Sequence, residues 1–197
     1  MRRVFATACI VILTIVLAAC AADEASDPAN PPLAKGLLLG LAVLESGPSG
    51  PVPQPAQLGI LTNDGDGWSY TAVEDPDSNV FHKAMPITPS GGSPAILTAA
   101  GTKAILKLWH GDGTTTTLWE KDFGGKFSRM RDVEAGDLNG DGLLDLAVVT
   151  HDQGVVAALF GNADRTFDVQ ELDAQPNTFV HEAEIGDLDG DGVPEIY

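Results

Sequence analysis

The feature that most constrains this chain is a repeat. Written one above the other, RDVEAGDLNGDGLLDLAVVT (131–150) and HEAEIGDLDGDGVPEIY (181–197) align without a gap at an offset of 50. Asp137 falls on Asp187, Asp141 on Asp191 and Gly142 on Gly192. The same offset backward sets GGSPAILTAA (91–100) beneath DGLLDLAVVT (141–150). Each copy of such a unit must bury its apolar face against the next, so a period of this length points to a propeller or an array rather than to a compact mixed fold.

Between the copies a second element recurs. AQLGILTNDGDGWSYTAVED (56–75), AILKLWHGDGTTTTLWEKD (104–122) and VVAALFGNADRTFDVQELD (155–173) each join an apolar run to a β-rich run through a turn of Asp, Asn and Gly, the pattern of a hairpin. AILTAA and DLAVVT are short apolar runs suited to strands buried on both faces. GLLLGLAVL (36–44) is placed by the repeat as another inner strand, and no window past residue 35 holds a helical period for long. One unit therefore reads strand, loop, buried strand, turn, strand, Gly-rich turn, strand. Four antiparallel strands in about 50 residues is the size of a propeller blade. The expected fold is all-β, with blades over residues 36–197. Tyr197 falls in the middle of a buried strand by comparison with 131–150, and propellers need roughly 4–8 blades to close. The expectation is an N-terminal fragment of a complete propeller, incomplete at the C-terminus; association of several copies is the alternative.

The loops carry the chemistry. Ca²⁺ takes about 6–8 oxygen ligands, and a short loop wraps an ion when oxygens come from alternate residues and a Gly allows the bend. Asp137, Asn139 and Asp141 stand at loop positions 1, 3 and 5, Gly142 at 6, the Leu143 carbonyl at 7 and Asp145 at 9. The later copy supplies Asp187, Asp189, Asp191, Gly192, the Val193 carbonyl and Glu195. Turn formation accounts for the Gly and one or two Asp, but not for four acceptors in register twice. An EF-hand is excluded: position 12, which should hold a bidentate Glu, is Val148 inside an apolar run. In the earlier copy Ile87, Pro89, Gly91 and Ala95 replace the ligands, so no ion is expected there. Asp64, Asp66 and Asp112 lie in hairpin turns, where the expected role is the turn itself.

These residues carry a resemblance. DVEAGDLNGDGLLDLAVVT, followed by GVVAALFGNADRTF, is similar to the FG-GAP or VCBS-type repeat of integrin-alpha-like β-propellers, and Phe160-Gly161 matches the Phe-Gly of its name. It covers 128–197 well and 56–127 weakly. The resemblance implies a propeller with calcium in loops on one face, the ligands carried over only to the two loops above.

The N-terminus reads as an export signal. Met1-Arg2-Arg3 is a basic start, Val4–Ala19 is almost wholly apolar, and Leu17-Ala18-Ala19-Cys20 resembles the bacterial lipobox. Residues 1–19 are expected to be a signal peptide, with Cys20 taking the lipid (palmitate among its acyl chains) and 20–35 serving as a flexible tether. Cys9 would leave with the signal, which removes any intrachain disulfide. The expected location is the bacterial envelope, at the outer membrane or cell surface.

The formal charge is −17, from 11 Lys plus Arg against 28 Asp plus Glu. That argues against nucleic acid, which needs a basic face. The expected partner is a protein or glycan at the cell surface, with Ca²⁺ structural. The alternative is the scaffold of an extracytoplasmic enzyme acting on polysaccharide. Catalysis has little support here: His82, His110, His151 and His181 are scattered, and no nucleophile elbow or phosphate loop is present. Trp68, Trp109 and Trp119 are expected to pack between blades.

Overall fold

The computed structural model describes residues 11–16, 35–101, 103–124 and 128–197. Among them the chain is all strand and turn. The strands in order are β1 (Val11–Val16), β2 (Gly36–Ala42), β3 (Leu44–Gly47), β4 (Gly50–Pro53), β5 (Ala56–Asn63), β6 (Trp68–Asp75), β7 (Val80–Ile87) and β8 (Ala95–Gly101). They continue with β9 (Ala104–His110), β10 (Thr115–Lys121), β11 (Met130–Gly136), β12 (Asp145–Thr150), β13 (Val155–Gly161), β14 (Phe167–Ala174), β15 (Ile185–Gly186) and β16 (Glu195–Ile196).

Three four-stranded antiparallel sheets result, in the orders β1-β2-β5-β6, β7-β8-β9-β10 and β11-β12-β13-β14, and β15-β16 begins the next unit. The period of 50 is present in the register itself: Gly136 pairs with Asp145, and Gly186 pairs with Glu195. All-β architecture and blade-like sheets are therefore as the sequence indicates. A short hairpin, β3-β4, interrupts the first unit and was not foreseen. Val11–Val16, read from sequence as part of the leader, pairs with β2. Cys20 and the rest of the tether up to residue 34 lie outside the described residues, so the lipobox reading rests on sequence.

Sheets pack face to face because strand residues alternate sides. In β9, Ala104, Leu106 and Leu108 turn toward the third sheet and join Leu97, Met130, Val133, Leu146, Val148 and Leu159 in one core. Ile105 turns the other way, against Leu58, Phe81 and Ala100 of the first interface. Lys107 shares that side. Its Nζ donates to Asp75 Oδ1 at 2.8 Å and to Asp77 Oδ2 at 3.0 Å, although its side chain is only 6% exposed. Burial works to lower its pKa, but the hydrogen bonds and charges of Asp75 and Asp77 outweigh it and the net shift is upward. A second tie crosses the next interface, where Lys83 pairs with Asp132 at 3.0 Å and with Glu134. Asp132 Oδ2 also accepts the Ala183 N–H, at 3.2 Å, from the following unit.

Of the three tryptophans, Trp109 packs edge-on against Phe81 at the first interface and Trp119 against Phe123. Trp68 departs from expectation. It lies on the outermost strand of the first sheet and is half exposed.

Candidate metal centre

Loops 137–145 and 187–195 each link the first strand of a unit to its second, and they share one conformation. Gly140 and Gly142 sit at φ 75° and 82°; Gly190 and Gly192 sit at 79° and 89°. Only Gly adopts this left-handed region without strain, which is why the motif needs both. The first Asp organises each bend. Asp137 Oδ1 accepts the Gly140 N–H and Oδ2 the Gly142 N–H, both at 2.8 Å. Asp187 does the same with Gly190 and Gly192, at 2.7 and 2.9 Å. Asp141 and Asp191 each accept the N–H of the residue two further on, Leu143 and Val193, at 2.8 Å.

Position 9 closes each loop by the same bond: Asp145 Oδ2 accepts the Leu138 N–H and Glu195 Oε2 the Leu188 N–H, both at 2.8 Å. Asp145 does more. It is fully buried, and its Oδ1 accepts the Gly161 N–H at 2.7 Å. Gly161 is pressed against the backbone; a Cβ there would lie 2.2 Å from the Leu144 carbonyl oxygen. The Phe-Gly dipeptide is thus the far half of a clasp whose near half is the last residue of the loop. The sequence showed both halves but not that they touch.

The structure brings some of the expected ligands together. Carboxylate oxygens of Asp187, Asp189 and Glu195 lie within 4.8 Å of one another. Asp191 is not in that group. In the first loop the third position is the neutral Asn139, whose Nδ2 donates to Asp141 Oδ2 at 3.0 Å, and Asp145 is turned inward. No comparable trio forms there among the described residues. The copy in the second unit has lost its carboxylates and turned to packing instead: Ser90 Oγ accepts the Leu144 N–H at 2.8 Å. Asp64 and Asp112 make turns, as expected, by accepting N–H groups two residues on.

The histidines are less scattered than their numbering implies. At the opposite end of the sheets, His151 packs edge-on against His181 and at a tilt against Phe179, with ring centroids 4.7 and 4.9 Å away. His82 accepts a hydrogen bond from Arg131 Nη1 at 2.8 Å. Burial pushes its pKa down to about 4, and the charges of Arg131, Arg129 and His151 add to that against a weaker pull from Asp152. Because the folded pKa lies below the unfolded value of about 6.5, the unfolded chain takes up this proton first on acidification. Stability is therefore lost as pH falls from about 6.5 to 4 and the loss levels off below, amounting to about 3 kcal/mol. Urea unfolding across that window checks it. The step should shrink in His82→Gln, which keeps an acceptor for Arg131 but cannot titrate.

Comparison with known proteins bears on the same segments. Among curated proteins none matches the chain. The FG-GAP-like repeat matches twice, over residues 92–148 and again over 137–197. The first match starts in the carboxylate-free loop and the second spans both acidic loops, so together they run through the clasp and its Phe-Gly. With more than half of its residues inside these two overlapping matches, the chain belongs to the FG-GAP-like repeat family.

Proposed function

We propose that this chain is an extracytoplasmic β-propeller scaffold, stabilised by Ca²⁺ and tethered to a bacterial envelope membrane by lipid on Cys20, which presents a binding surface to a protein or glycan. The observation that carries the metal reading is the convergence of Asp187, Asp189 and Glu195 within 4.8 Å at repeat-defined positions. Three carboxylates so close repel, and they are hard oxygen donors of the kind Ca²⁺ prefers. Asp191 and the Val193 carbonyl would complete that loop; Asp137, Asn139, Asp141, Asp145 and the Leu143 carbonyl would serve the other. The ion would cancel the repulsion and link its binding to folding.

The support for the anchor is the lipobox-like Leu17-Ala18-Ala19-Cys20. Cleavage there takes β1 away and opens one edge of β2. It also moves the formal charge from −17 to −19 by removing Arg2 and Arg3. So acidic a chain is repelled by anionic lipid, and the acyl chains must hold it.

Thermal unfolding in Ca²⁺ and in chelator tests the metal reading. At Ca²⁺ about 100 times its Kd, each site adds about 2.7 kcal/mol, so the chelated protein melts several degrees lower. The shift shrinks in Asp189→Ala. Identical melting in both buffers overturns the reading. Palmitate labelling that survives Cys20→Ala overturns the anchor.

A further inference from the structure

We propose that a groove at the metal-loop end of the second and third sheets binds a carboxylate-bearing sugar, with the carboxylate on Arg165. The proposal extends the scaffold reading by naming a ligand, and rests on that reading for the role of the site rather than for its geometry. Arg165 lies in the β13–β14 turn with φ 72°, in the left-handed region. The β9–β10 turn has the same hydrogen bonds: Gly113 N–H to the His110 carbonyl at 3.0 Å there, Arg165 N–H to the Asn162 carbonyl at 2.9 Å here. The matching position in that turn is Gly113, at φ 85°. The fold asks for Gly and the chain supplies Arg, accepting backbone strain to place a guanidinium. Strain of this kind concentrates at functional sites.

Arg165 borders a cavity of about 510 Å³. Leu108 and Leu118 supply apolar wall, and the carboxylate-free loop adds Pro89 and Pro94. His110, Asp112 and Thr116 supply polar groups. His110 Nε2 and Thr116 Oγ1 are bonded at 2.9 Å. Asp112 Oδ1 accepts from the Thr114 N–H and hydroxyl, which leaves its second oxygen outside these bonds.

Charge selects the ligand. Lys83, Lys103, Lys107, Lys121 and Arg129 are each committed to a carboxylate, whereas Arg165 makes no ion pair among the described residues. A single carboxylate fits one guanidinium in a chain of charge −17; a dianion would meet stronger repulsion. Sugar hydroxyls would donate to Asp112, and the C–H faces of the ring suit the Leu and Pro walls. The volume falls within the ordinary range for small-ligand sites.

Saturation-transfer NMR and calorimetry on the full chain in Ca²⁺, with glucuronate and with glucose, test this. Glucuronate should bind, more weakly with added salt, and glucose should not. Arg165→Gly should weaken glucuronate roughly tenfold or more while melting at the same or a higher temperature, since the turn regains its natural residue. Arg165→Lys should retain part of the affinity. Unchanged affinity in Arg165→Gly, glucose binding as well as glucuronate, or no binding of either overturns the proposal. A failure of the chelator test with glucuronate binding intact would remove the calcium reading and leave this site standing.

Discussion

Gly161→Ala is expected to destabilise the chain by about 3–5 kcal/mol. The added Cβ would sit 2.2 Å from the Leu144 carbonyl oxygen, and that partner is backbone, so the strands themselves must part. Overpacking of this kind costs about 1–3 kcal/mol. Moving β13 also stretches the Gly161 N–H bond to buried Asp145, and losing a buried charge-assisted bond costs a further 1.5–3 kcal/mol or so. Denaturant unfolding reads the change. Gly111→Ala is the control: nothing lies within 4 Å of its Cβ, and the effect should stay within about 0.5 kcal/mol. Asp145→Ala should cost about as much as Gly161→Ala, because it orphans the N–H groups of Leu138 and Gly161 together. Both changes break one clasp, so the double variant should lose clearly less than the sum. Full additivity would show that the clasp is not a unit.

Lys107→Ala should cost about 3–5 kcal/mol, since it strands Asp75, which is 1% exposed, without its counter-charge. Replacing both, as Lys107→Met with Asp75→Leu, should recover much of the loss, because the penalty comes from an unpaired buried charge and not from absence of the pair. The exposed pair Lys121–Glu171 supplies the contrast: side chains 41% and 38% exposed, and an expected cost within about 1 kcal/mol when broken. Alkali gives a second readout. The Lys107 pKa is raised in the folded chain, so its contribution is complete below the unfolded value of about 10.5 and disappears as pH climbs through the higher folded value. Lys107→Met should remove that part of the alkaline transition.

The architecture was legible because blade period and strand period are both local in sequence. A fifty-residue offset and two-residue alternation were enough to locate β8 through β14. The loop was legible for a related reason: Asp137 to Asp145 is one continuous stretch whose spacing mirrors its geometry. What could not be read joins distant parts. Lys107 meets Asp75 across 32 residues and Lys83 meets Glu134 across 51. Asp145 reads from sequence as a ligand; its burial and its bond to Gly161 show that it also closes the backbone. His82, His151 and His181 come from three different units, so spacing gave no hint that two of them meet edge-on and the third titrates beside them. Arg165 did leave a trace, as the one residue breaking the Gly habit of its turn.

The polar ties described above join each sheet only to its neighbour: Lys107 reaches back to the first, Lys83 and Ser90 reach on to the third, and Asp132 holds the start of the fourth unit. Such a molecule behaves as a one-dimensional lattice, its stability a sum of unit terms and junction terms. Damage at one junction loosens two sheets and leaves the others nearly as they were, so amide hydrogen exchange should rise in a graded, unit-by-unit fashion. A chain assembled in this way is also extended or shortened most readily by whole periods, at a cost confined to the junction where a unit enters or leaves.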